Sequence, residues 1–293
     1  MDSDLLRAFV AVTETGGFGA AAKLLNRTQS AVSLQIKRLE ERLGATLFDR
    51  TSRSVKLTAD GARLLPYARR LLDLEDEAQA QLTGTVEGER IRFGLTEEHA
   101  AAHLPALLSR LRAAHPETRV EIVCAISSDL VDLFQEGRLD LVLAVRHGPT
   151  RTGRVLGVER MIWVAQSGFE LPEDTPLPLA LNPEGCLFRA HALAAIGRMG
   201  RGWSEPYLSQ SPTGINVAVQ SGLALTVKTP RSVPPGCDDA GDRLGLPPLG
   251  LAEIEMHVSP ARIGEDFRHL VRLVEAQCGD AGAARRAQST SSG

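Results

Sequence analysis

Three apolar-periodic stretches crowd into fewer than forty residues between Leu6 and Leu43, and none of them can cover its own apolar face. The first repeats at helical spacing through Leu6, Phe9, Val10 and Thr13, the second through Phe18, Ala21, Ala22 and Leu25, and the third through Val32, Ile36, Leu39 and Leu43. Helices this short are marginal alone, so they must pack on one another. Between the second and third, Asn26-Arg27-Thr28 is a polar connection short enough to force a tight turn, with Thr28 as N-cap of the helix that follows. That helix, TQSAVSLQIKRLEERL, turns Ser30, Ser33, Leu34, Lys37 and Arg38 away from its apolar side. A helix-turn-helix with such a face fits a DNA major groove, although three short amphipathic helices also suit an ordinary small bundle.

Residue types favour the groove. A solvated helix face is usually filled with Glu and Lys pairs, whereas this one opens with Gln29, Ser30 and Ser33, small hydrogen-bonding groups that permit close approach. Gln29 can pair bidentately with adenine, the serines can bond phosphate, and Leu34 can meet a thymine methyl; Arg27 and Thr28 in the turn complete the expected set. Residues 44 to 58 then read as strand, polar turn and strand, a wing, with Leu47, Phe48, Val55 and Leu57 available to the core. On or beside it, Arg50, Arg53 and Lys56 can reach the DNA backbone or an adjacent minor groove, the alternative being a solvated basic turn. Net charge is only −3 overall, but residues 1–58 hold nine Lys and Arg against six Asp and Glu, so the basic excess is local.

The segments FVAVTETGGFGAAAKLLNRTQSAVSLQIKRLEERLGATLFDR, the wing, and LTADGARLLPYARRLL resemble, in order and spacing, the amino-terminal domain of LysR-type transcriptional regulators from Leu5 to about Leu72. One site departs: many members carry a basic or amide side chain where this chain has Leu34, which puts the base read there in doubt but not the mode of docking. From Thr58 a long helical candidate runs to about Leu82, with an apolar seam at Leu65, Ala68, Leu72, Glu75, Gln79 and Leu82 that weakens toward its end and a bend expected at Pro66. It reads as a dimerising linker, roughly 35 to 40 Å long at 1.5 Å per residue, or as a helix packed within its own domain.

Beyond it the pattern alternates strand and helix. Strands are expected at 90–95, 119–126 and 139–145, with helices at 98–114 and 129–136, an order that implies a parallel sheet covered on both faces. A further strand follows near 161–165, then Pro-rich sequence, helices near 191–198 and after Thr213, a strand at 224–229, a return crossing at 257–260 and a closing helix at 267–277. GLTEEHAAAHLPALLSRLRAAHPETRVEIV, EGRLDLVLAV and VAVQSGLALTV are similar to the effector-binding domain of the same family, which implies two α/β lobes like type 2 periplasmic binding proteins. GCLFR at 185–189 and GLPPL at 245–249 resemble the LrhA-like branch. The resulting organisation is a winged helix-turn-helix domain at 1–58, a dimerising linker helix at 59–88, and an effector-binding domain at 89–278. Its lobe I lies at about 89–161 and 262–278 and its lobe II at about 162–261, before a disordered tail at 279–293.

Effector is expected between the lobes, at Thr96, Ser127, Ser128 and Arg146, with Trp203 and Thr226 across the cleft. Glu97 and Glu98 oppose an acidic effector unless a cation offsets them, leaving a neutral, cationic or metal-assisted one open; they also simply suit a helix N-terminus. Four cysteines lack paired spacing. Cys124 and Cys278 read as inert, whereas Arg189 and His191 could lower the pKa of Cys186, so a thiol-based redox sensor is an alternative. No HExxH, CxxC, GxSxG or Walker loop is present, and His99 with His103 are two ligands without a third, so neither an enzyme nor a metal or other cofactor is expected. With no apolar run long enough to span a membrane and no signal peptide, a cytoplasmic chain is expected. A solute-binding protein would use only residues 90–277. A ligand-responsive transcription factor uses both halves. The resemblance implies a homodimer or homotetramer on an imperfect palindromic operator in double-stranded DNA, an unknown small-molecule effector, and RNA polymerase as a partner.

Overall fold

A computed structural model describes residues 2–50, 55–82, 89–148, 152–172, 175–260 and 262–289. It divides into two compact units, one of residues 1–88 with 133–139 and 259–262, the other of the remainder.

In the first unit, α1 (Ser3–Thr15) is capped by Asp2, whose carboxylate accepts from the Asp4 amide at 3.0 Å, and closes on Gly16 at φ 69°. After α2 (Phe18–Leu24) the chain reverses at Asn26, whose φ of 51° makes it the only non-glycine residue with positive φ among the described residues. Asn tolerates this left-handed conformation better than branched side chains do. The Thr28 hydroxyl then accepts from the Ala31 amide at 3.2 Å and starts α3 (Gln29–Leu43). Val32, Ile36 and Leu39 are fully buried, whereas Leu43, assigned from its spacing to the same side, is 40% exposed where the helix ends. Strands β1 (Phe48–Arg50) and β2 (Val55–Leu57) pair antiparallel as the wing, and the Phe48 ring lies 5.4 Å from Phe9 and 5.9 Å from Phe18.

Helix α4 (Ala59–Leu82) runs through Pro66 without interruption. Its expected seam is divided. Leu65 and Ala68 are buried in the head core with Leu72 partly covered, while the exposed apolar residues of the helix are Tyr67, Leu71, Leu74 and Leu82. Ion pairs from Arg7 to Glu75 (3.1 Å) and Asp76 (2.8 Å), and from the buried Arg69 to Glu14 (3.1 Å), fasten α4 to α1. Packing within the head therefore claims the first half of the seam.

The second unit begins with β3 (Arg90–Leu95), α5 (Glu97–Ala114), β4 (Arg119–Cys124), α6 (Ser127–Gln135), β5 (Leu141–Val145) and β6 (Gly153–Arg160). There follow β7 (Ile162–Gln166), β8 (Leu177–Leu181), α7 (Leu187–Met199), β9 (Trp203–Leu208), α8 (Pro212–Gln220), β10 (Thr226–Lys228), β11 (Cys237–Asp239), β12 (Leu251–Val258) and α9 (Glu265–Ser289). Lobe I is built on a five-stranded sheet of order β4-β3-β5-β12-β6. Strands β3, β4 and β5 are parallel, but β12 runs antiparallel to both β5 and β6, so the sheet is mixed rather than wholly parallel. Lobe II carries β10-β7-β11 and β8-β9, joined by a bridge from Leu179 to Leu225. Pro206 sits in β9, a strand paired on one side only, where a missing donor is tolerated. A continuous apolar core runs through the unit with Phe93, Trp163 and Phe267 at its centre, and the Trp163 indole donates to the Pro247 carbonyl at 2.8 Å. Helix α9 continues to Ser289, well past the expected end of structure at 278, because AGAARRAQ is rich in strong helix formers.

Candidate nucleic-acid interface and ligand cavity

With Val32, Ile36 and Leu39 turned into the head core, geometry leaves the opposite side of α3 to solvent. Gln29, Ser30, Leu34, Lys37 and Arg38 are exposed there and Ser33 half-buried, with Arg27 and Thr28 exposed just before them. Leu34 at 48% exposure is an apolar side chain that no packing demands. Four of these groups have partners: the Thr28 and Ser30 hydroxyls lie 3.0 Å apart, Arg27 lies 3.2 Å from Asp4, and Lys37 3.7 Å from Glu41. Such exposed pairs are worth about 0–1 kcal/mol and yield easily to a phosphate. Lys56 is exposed on β2, the Arg50 side chain is not described, and Arg53 lies outside the described residues.

In the second unit a cavity of about 370 Å³ opens at the first turns of α5 and α6, facing α7 and α8 of the other lobe. Of the expected effector contacts, Thr96 and Ser127 line it. Thr96 caps α5 by accepting from the His99 amide at 3.3 Å, and the Ser127 hydroxyl accepts from the Val145 amide at 3.0 Å. The other four expected ligand contacts do not line it. Ser128 bonds Asp129 at 3.2 Å; Arg146 is taken up by Glu253 (2.9 Å) and the Gly148 carbonyl (3.0 Å). Trp203 is 42% exposed at the start of β9, and Thr226 is buried within β10.

Polar bridges span the cavity between lobes. Lys228, only 3% exposed, pairs with Glu98; Arg231 pairs with Glu159 at 3.2 Å; the Ser211 hydroxyl donates to Glu97 at 3.3 Å. The two ring nitrogens of His147 lie 2.8 Å from the Val145 carbonyl and 2.6 Å from the Gly185 carbonyl. Burial, helped by His103, pushes the His99 imidazole down to about 4, so this ring is neutral at neutral pH. Glu159 and Arg231 escaped sequence reasoning because β6, with its two glycines and exposed positions, gives no clean alternation, and the chain after β10 is irregular. Glu97, Glu98 and His99 were legible as a helix start.

Cys124 and Cys186 also line the cavity, yet neither is activated. Burial raises the thiol pKa of all four cysteines, that of Cys278 to about 11. The expected activation of Cys186 fails because Arg189 is engaged by Glu205 and the His191 ring by the Leu249 carbonyl, while burial outweighs the backbone hydrogen bonds to its sulfur. A thiol held protonated is a poor redox sensor.

Comparison with known proteins matches residues 3–62 to the bacterial regulatory helix-turn-helix protein family, lysR family, and residues 84–279 to the LysR substrate binding domain. The chain is 35% identical over 277 residues to the HTH-type transcriptional regulator DgdR of Burkholderia cepacia, covering 94% of each chain. Its fold is similar to that of ArgP from Mycobacterium tuberculosis (TM-score 0.66, 20% identity, 96% of this chain and 99% of that one). It is also similar to that of full-length CbnR in complex with its target DNA (TM-score 0.54, 18% identity, 94% and 99%).

Proposed function

The chain belongs to the LysR family of DNA-binding transcriptional regulators with an effector-binding domain, and from that premise we propose how its own residues do the work. Helix α3 enters the major groove with Gln29, Ser30, Ser33, Leu34, Lys37 and Arg38; Arg27 and Thr28 hold the preceding turn against phosphate, and the wing places Arg50, Arg53 and Lys56 along the backbone. The observation that carries this reading is the exposed face of α3, hydroxyl and amide at its start and basic farther along, with an apolar Leu34 that the fold does not require. The chain pairs through Tyr67, Leu71 and Leu74 of α4, as homodimers or homotetramers, so its operator is an imperfect palindrome. It acts in the cytoplasm, meets RNA polymerase at the promoters it occupies, and catalyses no reaction. Its effector occupies the 370 Å³ cavity against Thr96 and Ser127, a volume suited to a small molecule. Assignment to the LrhA-like branch rests on GCLFR and GLPPL alone.

Fluorescence anisotropy on genomic fragments retained by the protein tests the interface. Lys37→Ala should weaken binding to all fragments and flatten the salt dependence by about 0.9 in log–log slope for each phosphate that is no longer neutralised. Gln29→Ala should instead erode discrimination against a single changed base pair by about 1–3 kcal/mol. Two variants that both bind as wild type would remove this face of α3 from the interface.

A further inference from the structure

Resting on the reading of the cavity as the effector site, we propose that its ligand is a cation: a small organic amine or guanidine with an apolar body, and not a carboxylic or phosphoric acid. Four carboxylates line the cavity, Glu97, Glu98, Asp129 and Glu159, whereas Arg231 is the only Lys or Arg among the described lining residues. Arg231 is already paired with Glu159 at 3.2 Å, and Glu98 is paired with Lys228. Glu97 and Asp129 have hydroxyl partners, Ser211 at 3.3 Å and Ser128 at 3.2 Å, and neither is ion-paired to a Lys or Arg within 4 Å among the described residues. Two carboxylates without a Lys or Arg partner thus line the cavity.

The usual places for an anion are taken. A helix N-terminus binds an acid through its free amides and dipole. Here the first turns of α5 and α6 hold the protein's own carboxylates, and the Thr96 hydroxyl already accepts from the His99 amide. An incoming acid would meet like charge, with no unpaired Lys or Arg among the described lining residues to offset it. An ammonium or guanidinium group instead finds two exposed acceptors with lone pairs to spare, while Ile126, Leu187 and Phe188 give its hydrocarbon portion an apolar wall.

Isothermal titration of the full chain with a series of linear amines and guanidines, headed by butane-1,4-diamine, tests the class against butane-1,4-diol and succinate of equal length. The expected result is binding of cations only, weakened at least tenfold by Glu97→Gln with Asp129→Asn, weakened by added salt, and abolished by Ala102→Trp, which fills the cavity from an exposed position on α5. Succinate or the diol binding as tightly as the diamine, in a manner abolished by Ala102→Trp, would overturn the class while leaving the cavity as the effector site. Absence of binding by every cation in the series also overturns the class. Diamine binding that survives all three substitutions would put the ligand outside the cavity and take down the underlying site reading with it.

Discussion

Asn26 is a small residue in an unusual conformation on which the head depends. Its φ of 51° turns the chain from α2 to α3, and a β-branched residue there would add about 1–2 kcal/mol of strain. Asn26→Val should lower the thermal midpoint while Asn26→Gly, free of that strain, leaves it close to wild type, as differential scanning calorimetry would record. His99 contributes to the pH dependence, with His103 shifted in the same direction by burial. Its folded pKa of about 4 lies below its ordinary 6.5, so between these values the unfolded chain binds the proton that the fold refuses. The stability held by the neutral ring is complete above pH 6.5 and is lost progressively as pH falls toward 4. Thermal midpoints measured from pH 7 to pH 4 should therefore fall, and fall less in His99→Gln; identical profiles would show that His99 is not the group refusing the proton.

At the scale of elements, helix α4 shows how far local pattern carries. Its length, capped start and helical period could be read from the residues, but the seam could not, because the same spacing serves two partners. Leu65 and Ala68 go to the head core, leaving Tyr67, Leu71 and Leu74 exposed one step around the helix. The proposed dimer face predicts that Leu71→Glu with Leu74→Glu will shift sedimentation toward monomer without unfolding the head; an unchanged association state would move the interface elsewhere. Strands with clean signals, such as β3 with its buried Ile91, Phe93 and Leu95 or β5 with all five residues buried, were legible for the same physical reason: one or both faces are dry. Strands β6, β8 and β9 were not, since their residues are half exposed or interrupted by proline, and their pairing is decided by distant partners. The cavity followed suit. Thr96 and Ser127 were legible as helix starts at strand ends, whereas Arg146 looked like a free cation until its Glu253 partner, more than a hundred residues away, was in place.

For the molecule as a whole, a two-lobed domain whose cavity is crossed by Glu98–Lys228, Glu159–Arg231 and the His147–Gly185 contact can respond to a ligand only through differential affinity for its arrangements. If occupation of the cavity favours one arrangement of the DNA-reading heads, then by linkage operator DNA alters ligand affinity by the same factor. Charge supports the division of labour, the basic excess being confined to residues 1–58 of a chain whose net charge is −3. The direct test is a nuclease footprint of the full chain on genomic fragments it retains, taken with and without saturating cavity ligand. Two protected half-sites about one or more helical turns apart, with a protection pattern that changes when ligand is added, are the predicted result. A single unpaired half-site whose protection is the same with and without ligand would contradict the account.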